Sequence, residues 1–403
     1  MTEMIDDQQH LSEFPATRTS PFHPPQAYLK LQAQRRLHRV RLPSGLPAVF
    51  VTGHDEVRRL LDDERLSADE TAPGYPFLYA GAFESPLKGT FMRADGEAHY
   101  RIRRMLSKDF TLRRARELRP EVESVVGQCL DDMARAGSAD IVRDLAFPVP
   151  SRTICGLLGV PYEDREVFET NTRAMIDTTS TQEQMLGAMG AIMAYLTELV
   201  AKREQTPSDD LISRLVVEEL QAGNLTRDEL VTISLILLVG GHETTATMIG
   251  LGTFALMEHR DQLDLLLADP EGWPIAVEEI LRHQTIVQNP IQRAAVADIP
   301  VGDDVIRAGE GVVFVLEAAN RDPEAFPDPD RFDVRRAARN HVAFSFGAHQ
   351  CLGHAIARME LDVVFRMLFE RFPTLRLSVP VSDVPLRPNT VGLFGVDSLP
   401  VTW

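Results

Sequence analysis

The chain has 403 residues, 44% of them hydrophobic and 25% charged, as in ordinary soluble globular proteins with a substantial core. Its formal net charge of −17 excludes general nucleic-acid binding, which rests on a basic surplus. Three scattered cysteines, Cys129, Cys155 and Cys351, give no disulfide framework and fit a reducing compartment.

Met1 to Phe14 is acidic and polar and carries no apolar signal segment, so a cytoplasmic protein is expected. An irregular stretch with Pro15, Pro21, Pro24 and Pro25 precedes the first strand signals. Val40 and Leu42 alternate with Arg39 and Arg41, and Ala48 to Thr52 is an apolar run ahead of Gly53. Residues 55–283 then read as mostly helical, with stripes such as Val57, Leu60, Leu61 and Val122, Val125, Val126, Leu130. Within them, Arg101, Arg103, Arg104, Lys108, Arg113, Arg114 and Arg116 face the single acid Asp109. This run is either one solvated helix face or a basic dock for an acidic partner or an anionic group. Leu230 to Met257 is apolar enough to suggest a membrane span, but His242 and Glu243 near its middle favour a buried helix. Strand character returns over 291–316, most clearly from Gly311 to Leu316. A meander rich in proline and aspartate, Asn320 to Asp333, leads to a last helix over 352–372 and an alternating tail over 375–403. With strands near 38–53, 291–316 and 375–403 around the helices, we expect the ends to pair within one interwoven α+β domain.

Four motifs carry chemistry. In the loop Phe344 to Gly353, Cys351 stands just before a helix, where backbone N–H groups and the helix dipole favour a thiolate. Gly347 and Gly353 allow a tight loop and the approach of a flat partner, and Phe344 can shield the sulfur. The plainer alternative is a buried structural cysteine; a zinc site lacks ligands beyond His349 and Cys351. The second motif, Gly240 to Thr245, lies inside the long apolar helix, where Thr226 and Glu229 offer a capping box at the start. Its glycines let a ligand lie against the backbone, Thr244 can hydrogen-bond dioxygen, and Glu243 can pass protons. Small-residue helix packing would explain the same letters. Third, Glu279 and Arg282 share one helix face. Fourth, the meander is a rigid loop whose Arg331 is a candidate third member of that charge cluster.

In order and spacing these four motifs resemble the cytochrome P-450 superfamily over essentially the whole chain. Pro21 to Pro25, Pro73 to Pro76, Ala94 to His99 and the terminal Leu399 to Trp403 are similar to its soluble actinobacterial branch. Gly240 where alanine is commoner, and His354-Ala355 after the cysteine loop, depart from the pattern without touching a catalytic position.

The resemblance implies a mainly α fold with a smaller β region, a triangular helical prism around a long central helix. It implies haem b (iron protoporphyrin IX) with Cys351 as the proximal ligand, whose thiolate in this family favours O–O cleavage. It further implies Glu243 and Thr244 as the acid–alcohol pair, and Glu279, Arg282 and Arg331 as the structural triad. His99 and Arg103, one helical turn apart, resemble the family's propionate-binding pair, with Arg293 and His349 as further partners. Part of the basic run would then neutralise propionates and part would face an acidic ferredoxin. The chain contains no glycine fingerprint for flavin or nicotinamide, so ferredoxin and ferredoxin reductase are expected to supply electrons.

Family position places the substrate pocket at Tyr75 to Met92, Phe168 to Met189, Leu237 to Gly241, Ile286 to Ile291 and Val391 to Phe394. Val239, Gly240, Val287, Asn289, Ile291, Leu393 and Phe394 are its main candidates. These mostly apolar residues imply regioselective hydroxylation of a bulky macrolide- or polyketide-like natural product, with secosteroids or xenobiotics as alternatives. We expect a monomer with no membrane and no nucleic-acid partner. A non-catalytic haem-thiolate sensor and a peroxide-using relative are rivals that do not need the Glu243–Thr244 pair; a purely structural helical protein is a third, which leaves the four motifs in family order unexplained.

Overall fold

The alternating residues around Arg39 and the apolar run at Ala48 form strands, and they find further partners late in the chain. The computed structural model describes residues 9–10, 16–34, 36–78, 89–176, 180–288, 291–387 and 392–403. The chain divides into two compact units, one from residues 1–103, 287–331 and 338–351, the other from 104–286, 332–337 and 352–403.

The first unit is built on a six-stranded sheet. Leu37–Arg41 and Pro47–Val51 pair antiparallel, with Leu37 opposite Val51. Pro47–Val51 then runs parallel to Gly311–Phe314, which pairs antiparallel with Ile291–Ala295. Val, Ile and Phe favour this pleated surface, and both faces are covered. On one face Val49, Val51, Val312 and Phe314 pack with Val57, Leu60 and Leu61 of helix His54–Leu61. On the other, Val40, Phe50 and Val313 pack with Tyr28 and Leu31 of helix Gln26–Gln34. The strand expected to reach Leu316 stops at Phe314, because Leu316–Ala319 coils into a helical turn. Gly311 has no side chain for a packing reason: a Cβ would lie 2.6 Å from that of Pro76.

The second unit is helical, with Leu112–Ala136, Pro148–Leu158, Gln182–Gln205, Arg227–Glu258, Trp273–Gln284 and His354–Arg371 as its main elements. The expected capping box opens the 32-residue helix Arg227–Glu258: Glu229 N donates to Thr226 Oγ1 and Thr226 N to Glu229 Oε2. This helix and Gln182–Gln205 are long and apolar enough to cross a membrane; the former is buried over 67% of its most apolar stretch, as befits a core helix. Helix His354–Arg371 packs on it at Gly252, where a Cβ would come within 2.5 Å of Phe365 Cζ. The basic run is not one helix face. It is divided among helix Gly96–Ser107, the 3-10 turn Lys108–Phe110 and helix Leu112–Ala136.

The tail corrects the expected pairing of the ends. Arg376–Leu377, only two residues long, pairs with Val401–Thr402, and Pro400–Val401 pairs with Ala139–Asp140. The tail therefore closes on the helical unit, while the N-terminal strands take 291–314 as partners.

Candidate functional site

The cysteine loop in the first unit is shaped by two residues with left-handed backbone, Ser345 (φ 62°) and Gly347 (φ 72°). A Cβ on Gly347 would lie 2.6 Å from the Leu61 carbonyl, so the position needs glycine for both conformation and space. Ser345 has no such excuse, and its strained backbone belongs to the loop's shape. Cys351 N donates to Phe344 O at 2.9 Å and closes the loop. The Cys351 thiol is exposed, whereas Cys129 and Cys155 are buried. Burial raises both buried thiols, Cys155 to about 12, so both stay protonated thiols in the core. Gly353 precedes helix His354–Arg371 and accepts from Ala357 N.

Around the loop the first unit gathers arginines and histidines. Arg103 Nη2 donates to Gln350 O at 2.5 Å, bracing the carbonyl next to Cys351. His99 is 2% exposed, with Nδ1 2.9 Å from Phe91 O and Nε2 3.1 Å from Ala348 O. Burial lowers its pKa, and a neutral ring can donate to only one of these carbonyls. His349 lies 3.9 Å from it, ring centre to ring centre. Burial, then Arg293, His99, Arg103 and Arg93, drive His349 down to about 3. Burial also pulls Arg293 down to about 10, and it lowers Arg103 against the pull of the Cys351 charge. The acids nearby are engaged: Glu70 faces Arg93 at 3.9 Å, and Asp95 accepts from Ser67 Oγ and Ala68 N. Arg293 is buried and Arg93 and Arg103 are half-buried; Arg93 adds to the depression of Arg293, and all three guanidiniums add to that of His349. A group bringing two carboxylates, and an iron that takes a thiolate, fits these residues. Arg93 belongs to this cluster and was not read from the sequence; only its place three residues after Thr90, ahead of the His99 helix, could have drawn notice.

In the second unit, Thr244 Oγ1 donates to Gly240 O at 2.8 Å, which leaves its lone pairs available as acceptors. Glu243 is 2% exposed. Arg387 Nη1 lies 2.8 Å from Glu243 Oε1, close enough for ion pairing, while its N–H is aimed at Thr247 Oγ1 at 2.9 Å. His242 Nδ1 lies 2.8 Å from Leu238 O, and its Nε2 is 4.0 Å from Glu243 Oε2. The paired glycines separate in role. A Cβ on Gly240 would meet nothing within 4 Å, whereas one on Gly241 would lie 2.8 Å from Ile154. Gly240 is the open position and Gly241 is packing.

Glu279 and Arg282 are fully buried and paired at 2.7 Å. The third cation is corrected: Arg336 Nε sits 3.3 Å from Glu279 Oε1, and Asp333 N donates to the same oxygen. Arg331, expected there, is exposed and its backbone N donates to Asp328 O. Of the pocket candidates, Val239 and Leu393 are half-buried, Gly240 is exposed and Phe394 is buried in the second unit. Phe394 N donates to Ile286 O. Val287 and Ile291 are half-buried in the first unit. Asn289 lies outside the described residues, as do 79–88, 177–179 and 391 of the expected pocket segments.

Comparison with known proteins places this arrangement. The family model described as Cytochrome P450 matches residues 171–266 and 274–400. Cytochrome P450 105A3 of Streptomyces carbophilus is 43% identical, with 100% of both chains covered. Vitamin D3 dihydroxylase of Streptomyces griseolus is 43% identical over 97% of this chain and 96% of its own. Among solved structures, the mycinamicin VIII C21 methyl hydroxylase of Micromonospora griseorubida, bound to mycinamicin VIII, superimposes with a TM-score of 0.91 at 36% identity, covering 97% of this chain and 99% of the other. With a family model matched over more than half its length and relatives at 43% identity across nearly all of it, the chain belongs to the cytochrome P450 family of haem-dependent monooxygenases.

Proposed function

We propose that the chain holds haem b, with Cys351 as thiolate ligand and Arg293, Arg103 and His349 as partners of the two propionates. The observation that carries this is one unit that holds buried Arg293, half-buried Arg103 and the adjacent rings of His99 and His349 together with the exposed Cys351. His99 joins them by giving up one of its carbonyl contacts. Phe344 and Gly347 shape the loop for the sulfur, and Gly353 starts the helix whose dipole favours the thiolate. When bound, thiolate-ligated haem in this family supplies O–O cleavage and oxygen insertion into a C–H bond. Thr244 presents a hydroxyl oxygen that can accept a proton-bearing donor, and Glu243 is the buried acid that renews protons next to it.

The substrate is a bulky hydrophobic small molecule, and we assign a macrolide- or polyketide-like natural product hydroxylated at one position. Mostly apolar residues support this: in the second unit Gly240, with open space where a side chain would stand, half-buried Val239 and Leu393, and buried Phe394, and in the first unit half-buried Val287 and Ile291. The mycinamicin-bound relative supports this class, and the vitamin D3 dihydroxylase supports a secosteroid as the second reading. Electrons come from a ferredoxin and its reductase, with Arg104 and the largely exposed Arg113 on the docking face. The chain acts as one domain and as a monomer in the cytoplasm. A panel of macrolide aglycones, glycosylated macrolides, secosteroids and polycyclic xenobiotics, titrated against the ferric protein, tests the assignment. A low- to high-spin shift with micromolar affinity is expected for a macrolide; a shift confined to secosteroids selects the second reading, and one confined to xenobiotics overturns both.

A further inference from the structure

The C-terminal tail brings one cation to the acid in the long helix. Leu386 and Val396 form an antiparallel bridge, and Arg387 N donates to Gly395 O at 2.9 Å. That pairing seats Gly395 against the helix, where a Cβ would come within 2.7 Å of Thr247 Cγ2. It also drives Arg387, 4% exposed, onto Glu243 and Thr247. Asp397, at 3.6 Å from Arg387 Nε and 46% exposed, is the other acid on this guanidinium. Thr247 Oγ1 in turn donates to Glu243 O. Glu243 thus has Oε1 in an ion pair with the guanidinium but without a hydrogen bond, and Oε2 4.0 Å from His242 Nε2, which has no hydrogen-bond partner either. In a neutral His242 ring the proton belongs on Nδ1, which faces Leu238 O, so Nε2 presents a lone pair to Glu243.

We propose that Arg387 is the positioning residue of the oxygen-activation acid: it draws Glu243 Oε1 by ion pairing and leaves Oε2 as the oxygen that exchanges protons. The tail closes this contact, so its sequence bears on proton delivery at a helix from which it is separated by 140 positions. The inference rests on the reading of Glu243 as the proton-renewing acid. A buried carboxylate deprived of its counter-charge is costly and free to adopt other rotamers, so removing the guanidinium costs both stability and orientation.

The test uses haem-loaded protein driven by ferredoxin and its reductase, without added substrate. Dioxygen consumption is measured in H2O and D2O for R387M, R387Q, R387K, E243Q and R387M/E243Q. Expected are a fall of about tenfold or more in rate with a raised solvent isotope effect for R387M and R387Q. R387K should restore most of the rate, and the double variant should be no slower than E243Q. Independently of turnover, urea unfolding should show an increase on the order of a hundredfold in the unfolding constant for R387M, part of it recovered in R387M/E243Q. Where R387M does not fold, R387Q and R387K decide. Wild-type rate and isotope effect in R387M and R387Q beside a slow E243Q overturn the inference alone. Wild-type behaviour of E243Q overturns the reading of Glu243 and the inference with it. Additive losses in the double variant also overturn the inference.

Discussion

Glu360 shows what one buried acid does to pH dependence. It lies on helix His354–Arg371, 2% exposed, with Oε1 lacking any hydrogen-bond partner. Burial pushes its carboxyl up to about 8. The folded chain therefore holds a proton that the unfolded chain releases above about 4.5. The stability contributed by this environment is full below the unfolded value and is lost as pH rises through about 8. Glu360→Gln removes the titration and keeps the shape. Urea midpoints from pH 5 to 9 should show wild type losing ground to E360Q as pH rises, with the variant more stable at pH 9; parallel curves would rule the buried proton out. At this scale the sequence was unevenly legible. Cys351 stood out through its glycines and neighbours, but nothing near Glu243 or Arg387 in sequence signals their contact, which only the folded tail creates.

The charge cluster is a property of elements. Glu279 and Arg282 were legible because a spacing of three places both on one face of a helix. Their third partner was not, because Arg331, Arg335 and Arg336 follow one another in a meander whose turns set which one points inward. The backbone of Asp333 docks on Glu279 and so aims Arg336 at it. Arg336→Met should destabilise the protein by about 1–3 kcal/mol, the buried-pair cost discounted for partial exposure. Arg331→Met should stay within about 0.5 kcal/mol, as surface changes do. Chemical denaturation of the two variants checks this, and the reverse order would restore Arg331 to the triad. Other boundaries moved for similar reasons. The strand at Gly311 ended early because Leu316 begins a helical turn, and the basic run broke into two helices at Lys108–Phe110, a single 3-10 turn.

For the molecule as a whole, the surplus of 17 negative charges makes the basic run matter. Docking of the acidic ferredoxin proposed above on an acidic protein would need a local exception. Part of that run is already committed: Lys108 pairs with Glu218 at 2.5 Å, and Arg113 and Arg114 with Glu117 at 3.5 and 3.4 Å. The long helix, the cysteine loop and the strands near Ala48 were legible from periodicity and motif alone. The partnership of the tail with Ala139–Asp140 was not, since two-residue strands leave no periodic trace. The chemistry assigned to this chain rests on the Cys351 thiolate. The absorption spectrum of the reduced, carbon-monoxide-bound protein, wild type beside Cys351→Ser, tests it most directly. The wild type should show the red-shifted band of thiolate-ligated haem and C351S should lack it; absence of that band in the wild type, or its persistence in C351S, would contradict the assignment of Cys351.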